Sequence, residues 1–145
     1  MANDLRLLRL LVSHLERAGF SVLVFGGWAE DLLGLTPRSG HRDVDLILLD
    51  PEETALDDFL GLVGEIPEKH ASHKRAFEVE GTLVELFIAS NEGGAYVTWF
   101  CDQLRWQWPI GVAAKAAGLP VASPEALASY RTDWAAIQAV RQPSL

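Results

Sequence analysis

Three acidic side chains and a pair of glycines are the part of this sequence that could do chemistry. In the run Asp43-Val44-Asp45-Leu46 the carboxylates alternate with apolar residues, which is typical of a strand whose successive side chains face opposite sides. Asp43 and Asp45 should therefore project from one face, about 7 Å apart at their Cα atoms. A third acid, Glu85, stands among apolar residues on a later predicted strand, where an unpaired charge is costly.

Three carboxylates that meet in one place need something to compensate their charge. Each pair would repel by roughly 4 kcal/mol at about 4 Å and an effective dielectric of about 20, so a proton or a cation must relieve the cluster. Oxygen ligands without an accompanying cysteine suit a hard cation such as Mg²⁺, which completes its coordination with water and substrate phosphates. We therefore predict that Asp43, Asp45 and Glu85 bind Mg²⁺.

The glycine pair Gly26-Gly27 follows a short apolar run and precedes a predicted helix. Glycine lets the backbone approach a ligand closely, and the N–H groups at the start of a helix can bind phosphate oxygens. The pair alone is a weak signal, because a tight turn between strand and helix would need it for steric reasons. Together with the carboxylates it predicts a site for a metal-bound nucleotide.

Hydrophobic spacing predicts the elements that position these residues. A first helix, capped by Asp4 and ended by Gly19, precedes a strand over 20–25 and a short helix over 28–35. The later elements are a strand over 42–49, a helix over 52–64, hairpin strands over 75–79 and 82–89, a loop over 90–94, and a strand over 95–101.

The last third of the sequence is less clear. Residues 110–121 are compatible with a helix or with a second hairpin about Ala117-Gly118, and a closing helix over 125–140 follows Ser123 as cap and Pro124 as first helical residue. The pattern as a whole predicts an α/β (α+β) fold of about five strands with helices packed against them. We expect residues 1–145 to form one domain, in which 123–140 is a short C-terminal helical segment.

Composition excludes several classes of protein. The 145 residues carry a net charge of −8 at pH 7, which disfavours general nucleic-acid binding. Cys101 is the only cysteine, so there is no internal disulfide framework and a reducing compartment is indicated. Charged residues interrupt the first twenty positions, which predicts neither a signal peptide nor a membrane span. We expect a cytoplasmic protein with no membrane partner.

The order of the motifs resembles the nucleotidyltransferase superfamily that includes DNA polymerase beta. Its signature is an apolar residue before Gly-Gly or Gly-Ser, a short helix, Asp-x-Asp on the next strand and a third acid on a later one. The matching residues here are Phe25-Gly26-Gly27, Asp43-Val44-Asp45 and Glu85. Within this superfamily the sequence is most similar to the small lincosamide and aminoglycoside nucleotidyltransferases. The similarity lies in the run Gly-Gly-Trp-Ala, then an acid and Leu-Leu-Gly, then His-Arg-Asp-x-Asp. The resemblance covers residues 20–88 and implies the nucleotidyltransferase fold with a mixed sheet.

The resemblance also implies a reaction. A nucleoside monophosphate, AMP, would move from Mg²⁺-bound ATP to a hydroxyl of a small molecule, such as an aminoglycoside or a lincosamide antibiotic. Asp43, Asp45 and Glu85 would be the catalytic residues and would hold two Mg²⁺ ions. Glu85 would complete the second metal site and could accept the proton of the hydroxyl.

Further roles follow from the same resemblance. Gly26 and Gly27 would hold the β- and γ-phosphates, and Arg38 or Arg42 would neutralise charge there. Two features depart from the family pattern. Glutamate replaces the commoner aspartate at position 85, and little chain follows Ser123 to build an acceptor pocket. A second subunit could complete that pocket, so we expect a homodimer.

Two other functions stay open. A toxin-type nucleotidyltransferase acting on tRNA or protein would need a basic acceptor surface, which the charge of −8 makes less favourable. A non-catalytic nucleotide-binding module of the same fold would have no reason to keep three mutually repelling acids. Several further polar and aromatic residues are assigned ordinary structural roles outside the site. These are Glu30, Asp31, His41, Trp99, Trp106, Trp108 and the basic stretch 69–75. The tryptophans could stack on an acceptor or a base, but an aromatic cluster more often belongs to a core or a subunit interface. The basic stretch could contact phosphates, but we interpret it as a solvated loop.

Overall fold

An eight-stranded sheet is the centre of the computed structural model, which describes residues 4–36 and 40–141. The strands are β1 (Ser21–Phe25), β2 (Asp43–Leu49), β3 (Lys74–Val79), β4 (Thr82–Glu92), β5 (Ala95–Phe100), β6 (Leu104–Gln107), β7 (Ala113–Ala116) and β8 (Leu119–Ala122). The helices are α1 (Leu5–Arg17), α2 (Gly26–Leu32), α3 (Glu53–Val63), α4 (Pro124–Thr132) and α5 (Trp134–Arg141), with a 3₁₀ turn at Pro67–Lys69.

The sheet is mixed, as the family resemblance implies. Its order is β6-β5-β4-β2-β1-β8-β7, and β3 also pairs with β4. β2 runs parallel to β4, and β1 runs parallel to β8, while the other neighbours are antiparallel. The expected α/β (α+β) class with a mixed sheet is therefore confirmed, with eight strands in place of about five.

Helices α1 and α3 cover the face of the sheet opposite the acids. Asp4 caps α1 as predicted, because its side chain accepts a hydrogen bond of 2.9 Å from the Leu7 N–H. Phe59 of α3 contacts Phe77 of β3 edge-to-face, with ring centroids 5.9 Å apart. The residues of β2 that face this side, Val44, Leu46 and Leu48, are completely buried. This apolar layer fixes β2 so that Asp43 and Asp45 face the other side.

The strands that differ from prediction depend on pairing between distant segments. Residues 90–92 extend β4 instead of beginning a loop, because they pair with β5. β6 is absent from the prediction and is held by its pairing with β5. Residues 113–122 adopt the hairpin alternative, and Ala117 and Gly118 in its turn have φ of +53° and +76°. The strand conformation of these segments therefore depends on hydrogen bonds to neighbouring strands more than on their local sequences.

The predicted closing helix is divided into α4 and α5. Ser123 and Pro124 begin α4 as predicted, with the Ser123 hydroxyl accepting from the Ala126 N–H at 3.1 Å. The break falls at Asp133, whose carboxylate accepts a 2.8 Å hydrogen bond from the indole N–H of Trp106. Trp106 and Trp108 are buried, as the structural interpretation predicts, while Trp99 is 40% exposed. Aromatic packing thus joins the C-terminal helices to the sheet.

Within residues 4–36 and 40–141, no helix is both long and apolar enough to span a bilayer.

Candidate active site

The register of β2 against β4 decides how the three acids meet. Asp45 and Glu85 are direct partners in this parallel pair, and Asp43 lies opposite Leu83. Partners in a sheet project from the same face, and so do residues two apart on one strand. Asp43, Asp45 and Glu85 consequently share one face of the sheet, as the sequence spacing predicts for the two aspartates.

The environment of Asp45 disfavours its ionised form. Burial raises the pKa of its carboxyl from 3.8 to about 7, and the neighbouring charges of Glu85 and then Asp43 add to the shift. The cations Arg141 and Lys74 act in the opposite direction. A carboxylate held in this way gains stability from a proton or from a nearby cation.

The diglycine bend (Gly26-Gly27) begins α2 directly at the end of β1. Gly26 has a φ of +62°, and a Cβ built there would lie 2.5 Å from Oδ2 of Asp45. A Cβ on Gly27 would lie 3.3 Å from Nδ1 of His41. The bend therefore passes against the central carboxylate. The phosphate-binding role predicted for both glycines stays a prediction.

Gly26→Ala should cost both stability and activity. The new methyl group would be forced against Asp45, and a non-glycine residue in the left-handed region costs roughly 1–2 kcal/mol by itself. Gly34→Ala is the matched control, since Gly34 has a φ of +72° with nothing within 4 Å of the built Cβ. In urea unfolding monitored by circular dichroism, the Gly26 variant should be less stable than the Gly34 variant. Equal losses would show that crowding at Asp45 is unimportant.

His41 and Asp31 form a small polar cluster beside the diglycine bend. Nε2 of His41 lies 2.8 Å from Oδ2 of Asp31, and the His41 ring packs on Trp28 with centroids 4.2 Å apart. His41 therefore has the hydrogen-bonding, structural role that the sequence indicates. Arg42 is exposed just before β2, while Arg38 lies outside the described residues. The predicted contact of either arginine with phosphates stays a prediction.

Asp45 and Glu85 open into a cavity of about 390 Å³, hereafter the active cavity, whereas Asp43 is exposed and is not among its lining residues. Its lining includes Asp45, Glu85, Phe25, Phe87 and both glycines from the sheet side. The opposite wall comes from the C-terminal helices and α2. That wall consists of Glu30, Leu127, Tyr130, Arg131, Trp134 and Arg141.

Sequence reasoning missed this wall. Tyr130 and Trp134 stand four residues apart, the spacing that places helical side chains on one face, but nothing in the sequence relates them to Asp45. Glu30, which the sequence predicts to lie outside the site, lines the cavity and forms an ion pair with Arg131. This ion pair joins α2 to α4 across the cavity.

Arg141 is held at the wall by aromatic groups. Its guanidinium lies 5.5 Å from the centroid of Phe87 and 6.0 Å from that of Trp134, and Nη1 donates to the Tyr130 hydroxyl at 3.1 Å. Cation–π contacts of this kind stabilise a desolvated arginine. The arginine therefore presents positive charge close enough to lower the pKa of Asp45.

Lys74 forms an ion pair with Glu85 inside the site. Its Nζ lies 2.6 Å from Oε2 of Glu85, and the two side chains are only 16% and 13% exposed. The prediction of a solvated loop over 69–75 is wrong for His73, which is buried, and for Lys74 and Arg75, which begin β3, while Lys69 and His70 are exposed. The register of β3 on β4, which brings Lys74 to Glu85, leaves no signal in the local sequence.

The acids suit a hard cation by their chemistry. All their donors are carboxylate oxygens, and burial, followed by repulsion from Glu85 and Asp43, raises the pKa of Asp45. Across residues 4–36 and 40–141, no three His, Cys, Asp or Glu side chains are grouped closely enough to hold a metal ion. In the present arrangement the ammonium of Lys74 supplies part of the compensating charge. Mg²⁺ binding here stays a prediction.

Solved structures similar to this chain include enzymes that modify antibiotics. A lincosamide antibiotic adenylyltransferase, LnuA, solved with lincomycin bound, aligns over 99% of this chain and 100% of its own, with a TM-score of 0.70 and 15% identity. ANT(2'')-Ia in complex with adenylyl-2''-tobramycin aligns over 90% of this chain and 75% of its own, with a TM-score of 0.62 and 20% identity. The chain has the nucleotidyltransferase fold.

A further solved structure supports the same fold. The solution structure of ANT(2'')-Ia also aligns, over 94% of this chain and 88% of its own, with a TM-score of 0.57 and 17% identity. No family model matches the sequence, and no curated protein matches it. The sequence motifs and the structural alignment therefore identify the nucleotidyltransferase fold where overall sequence comparison finds no relative.

Proposed function

We propose that this protein is a metal-dependent nucleotidyltransferase that moves AMP from ATP to a hydroxyl of a small molecule. The observation that supports this most strongly is the direct pairing of Asp45 with Glu85 in a cavity bordered by the diglycine bend. The similar solved structures include a lincosamide adenylyltransferase and an enzyme bound to an adenylylated aminoglycoside. Both support a small-molecule acceptor, and lincomycin and tobramycin are therefore the reference compounds for a first test.

Asp43, Asp45 and Glu85 would hold two Mg²⁺ ions. Bound Mg²⁺ supplies Lewis acidity toward phosphate oxygens and toward the acceptor hydroxyl. The raised pKa of Asp45 means that this carboxylate is poised to exchange a proton for a metal ion near neutral pH.

The other residues of the site would position the reacting groups and compensate the charge of the phosphates. The acceptor oxygen would form a bond to the α-phosphorus while the bond to the bridging oxygen of the β-phosphate breaks, so that pyrophosphate leaves with both electrons. Glu85 would take the proton of the attacking hydroxyl. Arg131 and Arg141 would offset negative charge on the phosphates.

The C-terminal helices would serve as part of the acceptor pocket. Tyr130 and Trp134 provide flat apolar surfaces in the active cavity, which can orient a substrate and exclude water. These residues of the same chain therefore line the place where the sequence predicts that a second subunit completes the acceptor pocket. We retain the homodimer as a proposal, and sedimentation equilibrium at micromolar protein concentration tests it. A cytoplasmic location likewise stays a prediction.

The function is tested by following the label of α-phosphate-labelled ATP. With Mg²⁺ present, we expect label to appear on a small-molecule acceptor from a panel that includes lincomycin, tobramycin and tRNA. Label on tRNA alone would favour the toxin-type alternative. Absence of transfer to any acceptor, together with no binding of ATP, would contradict the proposal.

ATP and Mg²⁺ together should raise the thermal stability of the protein. A ligand that binds only the folded state stabilises it by about 2.7 kcal/mol at 100 times its Kd. Differential scanning fluorimetry measures the shift, with ATP plus EDTA as the control. An identical melting temperature with and without Mg²⁺ at millimolar ATP would argue against a metal-nucleotide site.

A further inference from the structure

A second cavity, of about 240 Å³, lies at the β3 edge of the active cavity. Its charged and imidazole lining consists of Lys69, His70, His73, Lys74, Arg141 and Glu68. Glu68 is the only acid among the lining residues that the structure describes. We call this space the basic cavity.

The concentration of positive charge here is unusual for this protein. The chain carries −8 overall, yet two of its three lysines and two of its four histidines line this one cavity. Lys74 is compensated by Glu85, whereas Lys69 and Arg141 form no ion pair with any described residue. A cavity with this charge attracts anions and repels cations.

The acids around the basic cavity leave part of this charge uncompensated. Nδ1 of His70 lies 3.5 Å from Oε2 of Glu65, and Glu65 also accepts from Arg75 at 2.6 Å. Arg75, which does not line the cavity, is paired with Asp57 as well. Among the cations that do line it, Lys74 is paired with Glu85, so that Glu68 is the one lining acid opposite Lys69 and Arg141 among the described residues.

A buried histidine adds a polar atom without a partner. His73 is 2% exposed, and its Nε2 has no hydrogen-bond partner among the described residues. Its Nδ1 lies 3.8 Å from Sγ of Cys101. A thiol that donates to Nδ1 leaves the hydrogen on Nε2, which then acts as a donor. Buried donors in proteins are normally paired, with protein, water or a ligand.

The two cavities communicate through shared residues. Arg141 lines both, and Lys74 of the basic cavity contacts Glu85 of the active cavity. The diglycine bend follows β1, which is three strands from β3 in the order β3-β4-β2-β1. At about 4.8 Å per strand the separation is roughly 14 Å. Phosphates held at the bend would therefore not fill the basic cavity.

We propose, on the basis of the proposed function, that the acceptor carries an oxyanion group that binds in the basic cavity while its hydroxyl faces Glu85. The group is a phosphate or a carboxylate, since both accept hydrogen bonds from lysine and arginine. A polycationic aminoglycoside would be repelled by the same residues. The acceptor class therefore differs from that of the tobramycin-modifying enzyme.

The proposal is tested by binding of glycerol 3-phosphate, with glycerol as the neutral control. Calorimetry without nucleotide should show binding of glycerol 3-phosphate to the wild-type protein and at least about a fivefold weaker affinity for Lys69→Gln. Lys115→Gln removes the same charge from exposed β7 and should leave the affinity unchanged. No binding to the wild type, or equal weakening by both substitutions, would overturn the proposal.

Two further titrations identify the type of anion and test whether it binds in the acceptor site or in the nucleotide site. Binding of glycerate with the same dependence on Lys69 supports a carboxylate, and binding of glycerol 3-phosphate alone supports a phosphate. Mg²⁺-ATP should leave probe binding intact, whereas displacement would assign the cavity to the nucleotide and overturn the acceptor role. Because these titrations contain no catalytic step, loss of label transfer with intact probe binding would count against the proposed function alone.

Discussion

Asp45→Asn is expected to reduce pyrophosphate release by roughly a thousandfold or more while the protein stays folded. The substitution removes the carboxylate that lies between Asp43 and Glu85 on the sheet face. Metal ions that stabilise charge in a phosphoryl transition state contribute several kcal/mol, and each 1.36 kcal/mol corresponds to about tenfold in rate. Coupled-enzyme detection of pyrophosphate measures the change directly.

Asp58→Asn is the matched control for this experiment. Asp58 is exposed on α3, which covers the opposite face of the sheet, so the substitution makes the same change in charge away from the cavity. Its turnover should equal that of the wild type. If Asp45→Asn retains wild-type turnover with an unchanged circular dichroism spectrum, the carboxylate has no part in the reaction.

The contribution of Asp45 to the stability of the metal-free protein should fall as the pH rises from about 4 to 7. The folded-state pKa of Asp45 is raised from 3.8 to about 7, so the folded protein binds a proton more tightly than the unfolded chain. Stability from this group is complete below pH 3.8 and is lost as the pH rises through about 7. At 1.36 kcal/mol per pKa unit, the contribution is on the order of 4 kcal/mol.

Urea unfolding of the wild type and of Asp45→Asn, both in EDTA, measures this contribution. His73 titrates in the same window in both proteins: its pKa is lowered to about 4 by burial, then by Arg141 and Lys74, so its contribution is lost as the pH falls. The difference between the two proteins therefore isolates Asp45. The variant should gain stability relative to the wild type between pH 5 and 8, by about 2–4 kcal/mol. Parallel stability curves would contradict the burial and repulsion assigned to this carboxyl.

The parts of the fold that the sequence predicts are those determined locally. The apolar spacing and cap of α1, the alternation that places Asp43 and Asp45 on one face, and the turn at Glu80-Gly81 all lie within short segments. The turn is visible in the structure as positive φ at both positions, +50° and +76°. Such signals need no knowledge of the rest of the chain.

The parts that the sequence does not predict depend on register between distant segments. Whether Glu85 lies beside Asp45 is decided by parallel pairing of β2 with β4, and a shift of one residue would turn Glu85 to the other face. The contact of Lys74 with Glu85 depends in the same way on β3. The wall formed by Tyr130 and Trp134 requires α4 and α5 to fold back over the sheet, which no local pattern reveals.

Anomalous diffraction from crystals grown with Mn²⁺ and a non-hydrolysable ATP analogue tests most directly whether the three acids form a metal-nucleotide site. We expect anomalous density within coordination distance of Asp45 and Glu85, with the Lys74 ammonium moved away from Glu85 and the triphosphate beside Gly26-Gly27. Density for the analogue elsewhere, with Lys74 still bound to Glu85 and no anomalous peak at the carboxylates, would contradict the assignment.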